Sequence, residues 1–292
     1  MIIDAHTHRY AQEVIDDPRA FATLHQEGHW LDLVCPENRP QLQGWADRDK
    51  MLTDMGDAGV DSSALLAWYW EKPETCSLHN DWHAKWIKED PGRFHAFAAI
   101  HPAMGCPLEE LYQRDEEGFC GIGECHPEVQ GFTMRDPVFL SCMQFADEKG
   151  WPVNFHVTEP VGHDYPGRTA TPLEDFLWLA RQFPSLKMIL AHAGGLFPFY
   201  ELNRRLRPEL KNVYYDLAAC PLLYDPSLYR LLIEAVGYGK LIWGSDYPLR
   251  IFPGRQKVPD FIEFRKEILE KARLSEVERD AIFGLTFESL LN

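Results

Sequence analysis

The chain has 292 residues, 45% hydrophobic and 25% charged, with 29 basic against 45 acidic side chains and a formal net charge of −16. That length and composition exclude a disordered or disulfide-dependent miniature fold and allow a large apolar core. The acidic balance excludes charge-driven binding to nucleic-acid phosphates or acidic membrane surfaces. A small anionic substrate stays open, because a bound dication would dominate the local field.

In chain order, the sequence alternates short apolar runs with longer amphipathic segments. Residues 1–5, 60–68, 94–100, 119–123, 152–157, 186–191, 213–217 and 241–243 read as strands buried on both faces. Helices are predicted over 47–58, 78–89, 107–117, 137–149, 172–183, 199–210 and 226–236, several opening with proline in the first turn. Eight strand–helix units give an α/β fold, a (β/α)8 barrel, over residues 1–292 as one domain. An open doubly wound sheet fits less well, since the first strand is followed by Asp4-Ala5-His6-Thr7-His8 rather than a glycine-rich turn. Residues 9–45 are too long for a simple loop and are expected to form a lobe over the active face. Residues 275–292 are expected to add a C-terminal helix.

The seven cysteines, Cys35, Cys76, Cys106, Cys120, Cys125, Cys142 and Cys220, form no CxxC pair and read as reduced thiols. No basic region followed by an apolar run opens the chain, and no apolar run is long enough to span a bilayer. The expectation is a cytoplasmic protein with a small-molecule substrate, no nucleic-acid or membrane partner, and nothing opposing a homo-oligomer.

The catalytic face of such a barrel lies at the C-terminal strand ends. Strand 1 ends in His6-Thr7-His8, and residues two apart on a strand point the same way, so both imidazoles reach one ion. Asp4 lies one step back on that face and is placed to orient a ligand. Strand 4 ends with Glu124, strand 5 with His156, strand 6 with His192 and strand 8 with Asp246. Any one of these alone would be an ordinary polar residue. Ionisable groups at five matching ends are hard to explain by packing, because each is costly to bury unless paired or metal-bound.

His6, His8, His156 and Asp246 suit Zn²⁺ or a similar dication with a position left for water. Asp246 is a metal ligand, a proton acceptor or both, and His192 polarises substrate or shuttles a proton. Glu124 has two readings. Either it follows Gly121-Ile122-Gly123 to hydrogen-bond main-chain amides in a tight turn, or it binds metal, with the first slightly favoured. His101 reads as a turn residue. His126 and Glu128 follow Glu124 and could line a pocket. Trp68, Tyr69 and Trp70 read as barrel-top packing or as a wall for a flat substrate. Arg168 and Arg250 are candidate partners for a carboxylate. His25 and His29 read as surface residues. The absence of a Gly-x-Ser-x-Gly elbow and of a phosphate-binding loop disfavours serine hydrolases and NTPases.

Asp4-Ala5-His6-Thr7-His8, His156, Ala191-His192-Ala193-Gly194-Gly195 and Gly244-Ser245-Asp246-Tyr247-Pro248, in this order over nearly the whole chain, resemble the amidohydrolase superfamily. The likeness is to its amidohydrolase-related (amidohydrolase 2) branch, with enzymes of the aminocarboxymuconate-semialdehyde decarboxylase and pyrone-dicarboxylate lactonase type. The resemblance implies a metal-dependent barrel with His6, His8, His156 and Asp246 as the metal site. It makes His192 a catalytic residue or a ligand to a second metal. The lysine that bridges two metals in some relatives is replaced at strand 4 by Glu124, a residue that bridges two metals in a deoxyribonuclease-like branch. One Zn²⁺ is preferred and two stay open, with Glu124 and His192 as further candidate ligands. The family's C-terminal Gly-Asn-Ala segment is altered here to Gly284-Leu285-Thr286.

The expected activity is hydrolysis of an ester, lactone or amide in a small carboxylate-bearing substrate through metal-activated water. The alternative is a lyase, a decarboxylase or hydratase of an unsaturated or aromatic acid. A two-metal nuclease-like hydrolase and an inactive metal-binding protein rank lower.

Overall fold

Strands of two to five residues cannot bury their backbones alone, so each must pair on both sides. Parallel pairing then forces a crossover between neighbours. The computed structural model describes residues 1–292 and solves this with eight parallel strands in chain order. They are β1 (Ile3–Thr7), β2 (Ser62–Leu65), β3 (Phe94–Ala98), β4 (Gly121–Cys125), β5 (Val153–Phe155), β6 (Met188–Leu190), β7 (Val213–Asp216) and β8 (Leu241–Ile242). The segment after β8 returns to β1, where Ala5 N donates to Trp243 O, Asp246 N to His6 O and His8 N to Tyr247 O. A parallel bridge between Thr7 and Tyr247 continues this seam. The result is a nearly closed (β/α)8 barrel.

β4 runs two residues further than the sequence predicts. Glycines carry no strand preference, yet a Cβ at Gly121 would lie 2.4 Å from the Phe97 ring and one at Gly123 2.7 Å from Asn154 O. Only bare backbone fits between these neighbours, so the glycines extend the strand instead of ending it.

The helices begin with α1 (Gln12–Asp16), α2 (Pro18–His25) and α3 (Gly28–Val34), the lobe expected over residues 9–45. Then come α4 (Arg48–Ala58), α5 (Pro73–Glu89), α6 (Pro107–Glu117), α7 (Pro127–Gln130), α8 (Pro137–Lys149) and α9 (Leu173–Gln182). α10 (Cys220–Leu223), α11 (Leu228–Val236) and α12 (Ile262–Ala272) complete the ring. No α-helix forms over 199–210. That stretch belongs to a 3₁₀-helical segment, His192–Leu202, followed by turns. Pro198 and Pro208 each remove a donor, and Ala193, Gly194, Gly195 and Leu196 all take positive φ.

The C-terminal tail forms α13 (Glu276–Asp280), a wide turn and α14 (Thr286–Leu290). Ser275 caps α13 reciprocally with Glu278. Phe287 and Leu290 of α14 close the barrel floor against Ile3, Ala5, Leu66, Phe97, Ile189 and Ile242. No helix of the chain is long and apolar enough to cross a membrane.

The lobe has its own apolar cluster, in which Tyr10, Phe21, Trp30 and Val34 pack on Trp70, Ala99 and Met104 from the barrel top. Two carboxylates pin it. Glu27 accepts from the backbone N–H groups of Glu71 and Lys72 at 2.8 and 3.1 Å, and Glu71 accepts from His29 N at 2.8 Å. Burial raises the Glu27 pKa to about 7, against the lowering effect of its Thr75, Glu71 and Lys72 donors. A folded-state pKa above the ordinary carboxylate value makes stability greatest below that ordinary value and lost as pH rises through about 7. The melting temperature of the wild type is therefore expected to fall more between pH 5 and pH 8 than that of Glu27→Gln. Equal slopes would remove Glu27 as the cause.

Candidate metal centre

The barrel seam brings two carboxylates against the His6 and His8 rings at the C-terminal strand ends. From β1, His6 Nε2 and His8 Nε2 lie 3.3 Å apart. From β4, Glu124 Oε2 lies 3.8 and 3.6 Å from those two nitrogens. From the segment after β8, Asp246 Oδ1 lies 3.8 and 3.5 Å from them. Four tetrahedral ligands at about 2.1 Å from an ion are separated from one another by about 3.4 Å. The separation between the two histidines, and those from each histidine to each carboxylate, lie near that figure.

The hydrogen bonds behind the rings agree with a cation. His6 Nδ1 donates to Asp216 Oδ2 at 2.9 Å, and His8 Nδ1 donates to Leu66 O at 3.1 Å. Each proton is thereby fixed on the far nitrogen, and both Nε2 lone pairs face inward. Two facing lone pairs and two carboxylates have no donor to share, and a divalent ion satisfies all four. Electrostatics point the same way. Burial alone would lower the His6 pKa, but the Asp216, Glu124 and Asp246 carboxylates overcome it and push it up to about 10. His6, His8 and Glu124, and likewise His6, His192 and Asp246, bring their ligand atoms close enough to hold a divalent ion, so a divalent-metal-binding cluster is present at these strand ends.

Local backbone serves the same end. Asp246 and His192 take φ of 62° and 58°, an uncommon conformation for residues other than glycine. A Cβ at Gly244 would lie 2.5 Å from His6 Cβ, so only glycine lets the strand 8 segment pass the ligand.

A second layer adjoins Glu124. Its Oε1 accepts from His156 Nδ1 at 2.9 Å, and His156 Nδ1 also lies 3.0 Å from His192 Nε2. His192 Nδ1 donates to Ala218 O at 3.0 Å, leaving Nε2 as an acceptor. Burial, only partly offset by Glu124, pushes the His156 pKa down to about 3. Glu124, His156 and His192 make a further group of ligand atoms close enough for an ion.

The structure thus brings His6, His8, Glu124, His192 and Asp246 together in overlapping groups of ligand atoms, while His156 joins through Glu124 and His192. Glu124 does not bond main-chain amides, because its two oxygens divide between the two groups of histidines. Asp4 accepts from the backbone N–H groups of His6 and Ser245, not from a ring. The His6 ring is oriented instead by Asp216 at the end of β7, which the sequence reading passed over. The available signal was the same as at the other strand ends: a carboxylate closing the apolar run 213–217.

Above the cluster lies a cavity of about 320 Å³. Trp68 and Tyr69 wall it, with stacked rings 4.5 Å apart. His29, His126 and His163 line it too, so His29 is not merely a surface residue. Arg39, from the lobe, is its only arginine or lysine. Arg168 and Arg250 instead donate to Glu159 O and Gln41 O. His101 holds the turn after β3 through Ala103 N and Gln130 O. Trp70 is buried and donates to His79.

A family model described as amidohydrolase matches residues 3–291. A curated 2-amino-3-carboxymuconate-6-semialdehyde decarboxylase of Dictyostelium discoideum is 25% identical over 268 residues, 76% of this chain and 74% of that one. Two solved structures share the fold. A 5-carboxyvanillate decarboxylase from Sphingomonas paucimobilis is 17% identical with TM-score 0.73, covering 99% of this chain and 98% of that one. A dihydroxybenzoic acid decarboxylase from Polaromonas sp., solved with manganese and 2-nitroresorcinol, is 18% identical with TM-score 0.70, covering 99% and 96%.

Proposed function

This chain belongs to the amidohydrolase family, and from that premise we propose that it is a metal-dependent decarboxylase of a small aromatic or unsaturated acid. The lyase alternative thereby takes precedence over the hydrolase reading. The observation that carries it is the similarity to a decarboxylase over three quarters of the chain. The cavity supports it: an aromatic wall for a flat substrate, one guanidinium for a carboxylate, and a cation-binding cluster beneath.

In this reading His6, His8, Glu124 and Asp246 hold one divalent ion. Two nitrogens and two carboxylates accept Mn²⁺ as well as Zn²⁺. The ion supplies positive charge that fixes the acid and offsets charge developing during the reaction.

Asp216 fixes the His6 tautomer, and His156, whose Nδ1–H also faces His192 Nε2, holds Glu124. Asp246 has the most open side chain of the four, 12% exposed against 0%, 4% and 1% for His6, His8 and Glu124. It can therefore reach substrate and carry a proton. Loss of CO₂ from an unsaturated carbon would leave a high-energy carbanion, so protonation at that carbon should come first. Asp246 delivers the proton, the bond to the carboxylate breaks, its electron pair returns to the carbon skeleton and CO₂ departs. Asp246 then regains a proton from water. Arg39 pairs with a carboxylate or other anionic group that remains on the substrate.

The test is CO₂ release from a panel of hydroxybenzoates and muconate-type acids, run beside lactone hydrolysis. Turnover is expected with at least one acid, with on the order of a hundredfold loss or more after chelation and recovery with Zn²⁺ or Mn²⁺. Lactone hydrolysis without CO₂ release from any acid would reverse the order of the two readings.

A further inference from the structure

Resting on that reading, we propose that His126 is a specificity-determining residue. Glu128 locks it as a hydrogen-bond acceptor, so that it selects acids carrying a hydroxyl donor.

His126 follows β4 directly and is buried in the cavity wall, 1% exposed. Its Nδ1 donates to Glu128 Oε2 at 3.1 Å. A carboxylate is acceptor-only, so the ring proton is fixed on Nδ1 and Nε2 keeps its lone pair. Nε2 has no protein partner, and it is not among the sealed polar atoms of the interior, so it opens on the cavity.

The ring cannot easily turn away. It stacks on His156 at 5.1 Å and 17°, and Tyr69 covers it at 5.2 Å. Its backbone is held as firmly. His126 N donates to Gln130 Oε1 at 3.1 Å, while Gln130 Nε2 donates to Ile100 O and Trp70 O at 2.9 and 3.3 Å. Glutamine at this position thus ties the short α7 turn to the segments that follow β2 and β3.

An oriented acceptor in a desolvated wall discriminates strongly. A ligand donor satisfies it, and a ligand without one strands it. Hydroxyl-bearing acids fit, and methoxy or unsubstituted analogues do not.

The experiment is calorimetric binding to the zinc-loaded protein at pH 8.5. The probes are 2-, 3- and 4-hydroxybenzoate, their methoxy counterparts and benzoate. At least one hydroxyl isomer is expected to bind about tenfold or more tighter than its methoxy partner and benzoate. His126→Phe, which keeps the stacked wall, should bring that ratio to within about twofold. Glu128→Ala frees the other tautomer and should also narrow the ratio without moving metal content.

A preference that persists in His126→Phe is steric and overturns the proposal. So does the absence of a preference in the wild type, or of any binding. An unchanged ratio in Glu128→Ala overturns the lock. Binding selectivity without CO₂ release sinks the decarboxylase reading alone, and CO₂ release without selectivity sinks this inference alone.

Discussion

Replacing Asp246 with asparagine is expected to lower kcat by about 10³-fold or more while leaving the fold and most of the metal in place. Asparagine keeps an oxygen at the position from which Asp246 Oδ1 faces His6 and His8 at 3.8 and 3.5 Å. What it loses is the capacity to carry a proton. The contrast with Asp246→Ala is informative. Alanine removes the ligand as well, so metal content should fall along with turnover. Metal analysis and steady-state rates on both variants separate the roles. Turnover within tenfold of wild type in Asp246→Asn would mean that another group moves the proton, and His192 would be the next to test. The residue's left-handed backbone, φ 62°, fits a site under functional constraint.

The second large effect is expected away from the first ring of donors. Asp216→Ala should weaken metal binding by about 10- to 100-fold. It should also cost stability on the order of 3 kcal/mol. The Asp216 carboxylate is fully buried and accepts four bonds. They come from His6 Nδ1 at 2.9 Å, Asn154 Nδ2 at 3.2 Å, His192 N at 3.0 Å and Ala218 N at 3.0 Å. Truncation strands all four donors, and the His6 ring loses the partner that sets its tautomer. Competition with a chelator measures the first effect, and thermal unfolding of the metal-free protein measures the second. Unchanged affinity in a folded variant would show that Leu66 O behind His8 and the protein's packing suffice to orient the pair.

The two variants probe different kinds of information in the chain. Asp246 was legible locally: a carboxylate breaking the apolar run that begins at Leu241, next to glycine and proline. His6 and His8 were legible for the same reason, since period-two spacing on a strand is itself a statement about direction. Glu124 was visible but ambiguous, because the two glycines just before it read slightly better as a tight turn. The strand Gly121–Cys125 emerges only once the Phe97 ring and Asn154 close in.

Asp216 shows the limit most clearly. It lies 210 residues from His6, and nothing in the spacing of either segment names the other. The lobe was legible as excess length, but not that it would carry Arg39 and His29 into the cavity wall. The helix expected over 199–210 does not form, because Pro198 and Pro208 interrupt the hydrogen-bond ladder that its apolar spacing would need.

By itself, then, the sequence determined the alternation of eight buried strands with helices and the identity of most of the polar residues at their ends. Short apolar runs and their interruptions are local properties of the chain. Which of those residues share an ion, which carboxylate orients which ring, and that His156 stands behind Glu124 were decided only by tertiary structure. Barrel closure sets the distances between strand ends that are far apart in the chain, and hydrogen bonds across those ends fix where each proton sits.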